Sequence, residues 1–146
     1  MAALLDVNAL IALVDADHTG HDAMQRWFAK NADRGWATCP IVENGMVRVL
    51  SRPAYPSGQR TPAAVIAHLR RLKAAAPGRY EFWLDDVSLS DKTLFDPACI
   101  AGTRQVTDVY LLGLAARRAG RVVSFDRSLP WQAIRNGSRE LVELPE

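Results

Sequence analysis

AALLDVNALIALV, residues 2–14, is the stretch from which the rest of the chain is read. Ala2 to Leu5 is a short apolar run with the look of a buried parallel strand. From Ala9 to Val14 the apolar positions follow a helical pattern, and Asn8 reads as the N-cap. The reading is therefore strand, sharp turn, helix, with Asp6 at the junction. An acid wedged between a buried strand and an apolar helix has little structural use, which makes Asp6 the first candidate for chemistry.

The same pattern recurs further along the chain. Trp36 to Cys39 reads as a second strand, and Pro40 opens a helix bearing Ile41, Val42, Met46, Val47, Val49 and Leu50. Before it, His21 to about Ala32 forms a helix with Ala23, Met24, Trp27 and Phe28 on its apolar face. Arg52 to Pro62 reads as a loop. Thr61 caps a helix running to about Ala75, which Pro77-Gly78 closes. Tyr80 to Leu84 is a third strand. Thr107 opens a strongly apolar helix, Val109 to Ala119, ended by Gly120. Val122 to Phe125 is a short buried strand, and Leu141 to Leu144 the last. Strands alternating with helices predict an α/β fold with a mainly parallel sheet.

A length of 146 residues predicts one domain, 1–146, able to bury a core without disulfides. With 49% hydrophobic and 23% charged residues, the composition excludes a disordered chain, and no stretch is apolar and long enough to span a membrane. The N-terminal run lacks a basic region before it, and Asp6 interrupts it, so a cytoplasmic protein is expected. Cys39 and Cys99 form no CxxC pair and read as two buried, reduced thiols.

The net charge of +2 is unevenly spread. Asn44 to Lys73 holds Arg48, Arg52, Arg60, Arg70, Arg71 and Lys73 and no acid, and Ile100 to Arg139 holds seven arginines against Asp108 and Asp126. Such tracts suit a polyanion, because each neutralised phosphate releases counterions. Solvated helix faces give the same pattern. The opposite bias, five acids and one lysine between Glu81 and Asp96, reads as a solvated face or a dock for a basic segment.

In open α/β sheets, sites form outside the carboxyl ends of the strands. Asp6 and Asp126 each follow a strand directly, Glu43 lies in the first turn after the second strand, and Asp108 starts a long helix. All four acids map to one sheet edge. Hard divalent cations take carboxylates, waters and substrate phosphate as ligands, and clustered carboxylates without a cation repel one another. Structural readings exist beside this one. Asp108 with Thr107 and Glu43 suit helix starts, and Asp126 suits a turn with Arg127 and Ser128. His18 and His21, near Asp15 and Asp17, match no metal-binding spacing and read as loop residues. Of the tryptophans, Trp27, Trp36 and Trp83 fall on core positions. Trp131, after Pro130, is the one expected to be exposed and able to stack a base.

Taken together, LLDVNALIAL, CPIVENGMVRVLSRP, QVTDVYLLGLAARRAG and VVSFDRSLPW resemble PIN-domain nucleases, specifically VapC-type toxins of bacterial toxin–antitoxin pairs. The resemblance covers nearly the whole chain in the family's order. It implies a PIN-like three-layer α/β/α sandwich. It also implies a magnesium- or manganese-dependent endoribonuclease with Asp6, Glu43, Asp108 and Asp126 as the acidic positions. Ser124 matches a supporting hydroxyl residue and Asn8 a supporting polar residue, while Val7 departs from the hydroxyl often found there. The resemblance further implies a homodimer, a small VapB-type antitoxin reaching into the pocket, and structured RNA such as transfer RNA as substrate. Arg48, Arg52, Arg70, Arg71, Arg117 and Arg118 are the candidates for gripping RNA. A haloacid-dehalogenase-type phosphatase is disfavoured because position 8 is asparagine and the last lysine is Lys92. The other alternative is a silent PIN-fold module that binds RNA or a partner without cutting.

Overall fold

β1 (Ala3–Leu5) passes into α1 (Val7–Val14) with only Asp6 between them. The computed structural model describes residues 1–75 and 79–146. After α1 come α2 (His21–Asn31), β2 (Trp36–Thr38), α3 (Pro40–Leu50) and α4 (Pro62–Ala75). β3 (Tyr80–Phe82), α5 (Val106–Arg117), β4 (Arg121–Val123) and β5 (Val142–Glu143) complete the order.

The strands form one five-stranded sheet in the order β3-β2-β1-β4-β5, every pairing parallel. The chain builds outward from β1 through β2 to β3, then crosses back to place β4 on the other side of β1. Between β1 and β4 the order reverses, and there a crevice opens at the carboxyl ends of the strands.

Both faces of the sheet are covered, as parallel sheets require. Leu4, Ala37 and Val122 pack with Trp83, Phe95 and the buried side of α5. Ala3, Leu5, Trp36 and Val123 point the other way, into α1, α2, α3 and α4. This alternation along each strand makes the three-layer α/β/α sandwich. Packing is tight at two glycines. A Cβ on Gly113 of α5 would lie 2.1 Å from Cζ of Phe95, and one on Gly45 of α3 would lie 2.8 Å from Cγ2 of Val7. Val7 thus fills the α1–α3 crossing. Ala9 to Leu13 of α1 and Val109 to Ala115 of α5 are buried, so their apolar faces belong to the core.

Several boundaries differ from expectation. The cap of α1 is Asp6, whose Oδ1 accepts the Ala9 N–H at 2.7 Å, and Asn8 is exposed within the helix instead. α5 starts at Val106, before Thr107, and stops at Arg117. Ala119 turns left-handed (φ 53°) and Gly120 closes back on the Ala115 carbonyl at 2.8 Å. β2 stops at Thr38, one residue short of its apolar run, because Cys39 is already the cap of α3. Thr61 does cap α4, accepting the Ala64 N–H at 3.1 Å. The expected Pro77-Gly78 stop lies outside the described residues. Cys39 is buried, but Cys99 is exposed, because it sits in a polar turn off the sheet with Sγ 3.6 Å from Asp96. Among the described residues no helix is long and apolar enough to cross a membrane.

Candidate functional site

The crevice at the reversal point is built from the ends of β1 and β4 and the first turn of α5. The Asp6 N–H continues the β1–β4 ladder by donating to the Val123 carbonyl at 3.1 Å. That bond and the α1 cap hold the carboxylate at the bottom of the crevice, only 8% exposed. Ser124, itself buried, favours the charged form of Asp6 through its hydroxyl. The same Ser124 Oγ accepts the Asp126 N–H at 3.0 Å, tying the two acids to one serine. Asp126 is exposed, and its Oδ1 is taken by the N–H and hydroxyl of Ser128 at 2.8 and 2.6 Å. Asp108 stands in the first turn of α5 and is half-buried.

These three acids feel one another. Burial, opposed by Ser124 and the Ala9 N–H and assisted by the charges of Asp108 and Asp126, pushes Asp6 up to about 6. Burial and then Asp126 hold Asp108 above the usual carboxylate range. Carboxylates that raise one another in this way repel, and a nearby positive charge would favour their ionised forms.

Glu43 has a different setting. Its Oε2 is 2.6 Å from Nζ of Lys73 on α4, accepts the Tyr80 hydroxyl at 3.2 Å, and also accepts the Thr38 hydroxyl. Lys73 lies over the rings of Tyr80 and Phe82 at 5.2 and 5.1 Å. Burial pulls its pKa down, but the bonds to Glu43 and Tyr80 win and hold it above the usual lysine value. The expected quartet is therefore drawn as three coupled aspartates plus a glutamate held by a lysine. Nothing in the local sequence announced Lys73, 30 residues on, as the partner of Glu43.

Among the described residues no group of three or more His, Cys, Asp or Glu side chains is set closely enough to grip an ion as it stands. The donor chemistry nevertheless fits a hard divalent cation. Asp6 and Asp108 bring carboxylate oxygens raised first by burial and then by neighbouring acids, and a bound cation would favour the charged form of both. The histidine loop gives no second centre. Nδ1 of His18 accepts the Gly20 N–H at 2.9 Å, and the His21 ring meets the Ala12 carbonyl at 2.7 Å. Asp15 is buried with Tyr55, Ser57 and Arg60.

The expected arginines do not gather at the acids. Arg117 is nine residues beyond Asp108 on α5, about 13 Å along the axis. It pairs with Asp91 at 3.0 Å, and Arg118 pairs with Asp86 at 3.1 Å over the Trp83 ring. The acidic stretch thus partners this end of α5. Arg48 and Arg52 lie at the far end of α3 from Pro40, and Arg70 and Arg71 are exposed on α4. The basic residues nearest the crevice in the chain are Arg127, beside Asp126, and Arg104, in the turn before α5. Both belong to the second basic tract, where spacing alone does not distinguish them from the other arginines.

A family model for the PIN domain matches residues 3–133. The chain is 43% identical over 141 residues to the ribonuclease VapC44 of Mycobacterium tuberculosis, covering 96% of each. It is 49% identical over 127 residues to the ribonuclease VapC38 of the same organism, covering 85% of this chain and 84% of that one. Among solved structures, the Mycobacterium tuberculosis toxin VapC20, described as cleaving the sarcin-ricin loop, superposes with a TM-score of 0.63 at 13% identity, covering 92% and 96%. The VapBC2 structure from Rickettsia felis, bound to a promoter DNA fragment, matches over the full length of both chains with a TM-score of 0.62 at 14% identity. These two structures support the fold.

Proposed function

The chain belongs to the PIN-domain family, and we propose that it is a divalent-metal-dependent endoribonuclease of the VapC type, held in check by a VapB-type antitoxin. The observation that carries this reading is the strand-end crevice, where buried Asp6 is pushed up to about 6 beside Asp108 and Asp126. Relatives at 43% and 49% identity bear the name ribonuclease.

Asp6, Asp108 and Asp126 are the residues that would hold magnesium or manganese, with Glu43 completing the set once Lys73 releases it. The chemistry a bound divalent ion supplies is activation of water and stabilisation of charge building on the phosphate. The protein's own part is positional. Ser124 orients Asp6 and, through its bond to the Asp126 backbone, fixes their separation. Ser128 holds Oδ1 of Asp126 through its N–H and hydroxyl, which fixes that carboxylate's rotamer. Burial of Asp6 keeps its oxygens from bulk water, so that a cation is the partner that best offsets their charge. A folded RNA such as transfer RNA is the proposed substrate, and a homodimer the proposed assembly.

The test is incubation of total RNA with purified protein and manganese, beside an EDTA lane and beside Asp6→Asn. Cleavage that disappears in both controls supports the reading. Tight RNA binding with no cleavage of any RNA, transfer and ribosomal included, would point to the silent binding module.

A further inference from the structure

Beyond Asp126 the sheet edge continues into a groove of about 880 Å³ along β5, whose walls include Arg127, Ser128, Trp131, Gln132, Arg139 and Leu144. We infer that this groove binds a single-stranded stretch of the RNA leading away from the carboxylate crevice, with Trp131 stacking a base and Arg127 and Arg139 holding phosphates. The inference rests on the nuclease reading and adds where the strand lies.

Four observations support this occupant. First, the groove adjoins Asp126, since the Ser128 that lines it is the residue bonded to Asp126 Oδ1 and Arg127 beside it follows Asp126 directly. Second, Trp131 stands half-buried on the 3-10 turn Trp131–Ala133, whereas Trp27, Trp36 and Trp83 are each at most 5% exposed. Third, Arg127 and Arg139 are exposed and, among the described residues, form no ion pair, unlike Arg117 and Arg118 at the opposite end of α5. Fourth, the acids lining the groove are Glu143 and Glu146, and the Glu143 carboxylate is already taken by Trp27 and Arg121. Unpaired guanidinium groups flanking an aromatic face suit a sugar–phosphate strand with splayed bases. A protein partner has no comparable charge match on the page.

Because the other three tryptophans are buried, Trp131 dominates any fluorescence change on ligand binding. The experiment titrates uncleaving Asp6→Asn protein with a short single-stranded RNA oligonucleotide. It follows tryptophan quenching and, separately, affinity by anisotropy of a labelled RNA. Quenching is expected, and it should vanish in Asp6→Asn/Trp131→Phe. Affinity should fall about tenfold with Trp131→Ala, within the range for loss of one stacked base. Arg127→Gln and Arg139→Gln should each lower the salt slope by about 1, while Arg117→Gln leaves it unchanged. Circular dichroism melts exclude unfolding of the variants. RNA binding with unchanged Trp131 fluorescence, or equal losses from Arg117→Gln and Arg139→Gln, would overturn the groove and leave the nuclease reading standing. Absence of both RNA binding and wild-type cleavage would remove both.

Discussion

Replacing Asp6 by Asn should stabilise the metal-free protein at neutral pH while abolishing its response to divalent ions. The raised Asp6 favours folding only when protonated. Its contribution is fully present below the ordinary value of 3.8 and is lost as pH rises through about 6. That gap is worth about 3 kcal/mol at 1.36 kcal/mol for each tenfold change in proton affinity. Asn keeps an acceptor for the Ala9 N–H and is as good an N-cap as Asp. The charge-assisted bond from Ser124 is already contained in the shifted value and is not deducted again. The net gain at pH 8 is then about 3 kcal/mol, or about 6–12 °C in melting temperature for a domain of this size. The assay is a set of thermal melts of both proteins from pH 4 to pH 8 in EDTA, repeated with manganese. In EDTA the two curves should meet near pH 4 and separate as pH rises through 6. Manganese should raise the wild type alone, because a ligand that binds only the folded state stabilises it by mass action. Parallel curves across the whole range, or an Asp6→Asn protein less stable at pH 8 in EDTA, would refute the placement of Asp6 as an unsatisfied buried charge.

Asp15 should behave with the opposite sign. Burial opposes its charge, but the Tyr55 hydroxyl, the Asp17 N–H, Ser57 and Arg60 outweigh that and hold it below the usual carboxylate value. Its contribution is present above 3.8 and lost as pH falls below it. Asp15→Ala should cost about 3 kcal/mol in urea unfolding at pH 7 and flatten the acid limb of the stability curve. For the Lys73–Glu43 pair, a double-mutant cycle of Lys73→Gln and Glu43→Gln, read by urea melts, should give a coupling of about 1 kcal/mol that shrinks in high salt. A coupling near zero would mean that Lys73 does not hold Glu43. Gly113→Ala should lose about 2 kcal/mol through its clash with Phe95, and Phe95→Leu in the same chain should recover part of that loss in melting temperature.

Local pattern was enough to show that strands and helices alternate and that Asp6, Asp108 and Asp126 stand at strand ends or a helix start. Those features depend on neighbours within a few residues: apolar runs that must be buried, and a cap or an acid where each run stops. The order β3-β2-β1-β4-β5, by contrast, depends on which strand edges meet across the chain, and it alone turns three separate acids into one crevice at the reversal point. Tertiary contact also decided the charges. Lys73 meets Glu43 because α3 and α4 pack side by side, and Arg117 and Arg118 meet Asp91 and Asp86 because the segment after β3 folds along the end of α5. The sequence placed the arginines and the carboxylates in the chain. Whether each faces a phosphate or a neighbouring side chain depends on partners tens of residues away, since a Coulomb interaction acts through space and is indifferent to order along the backbone.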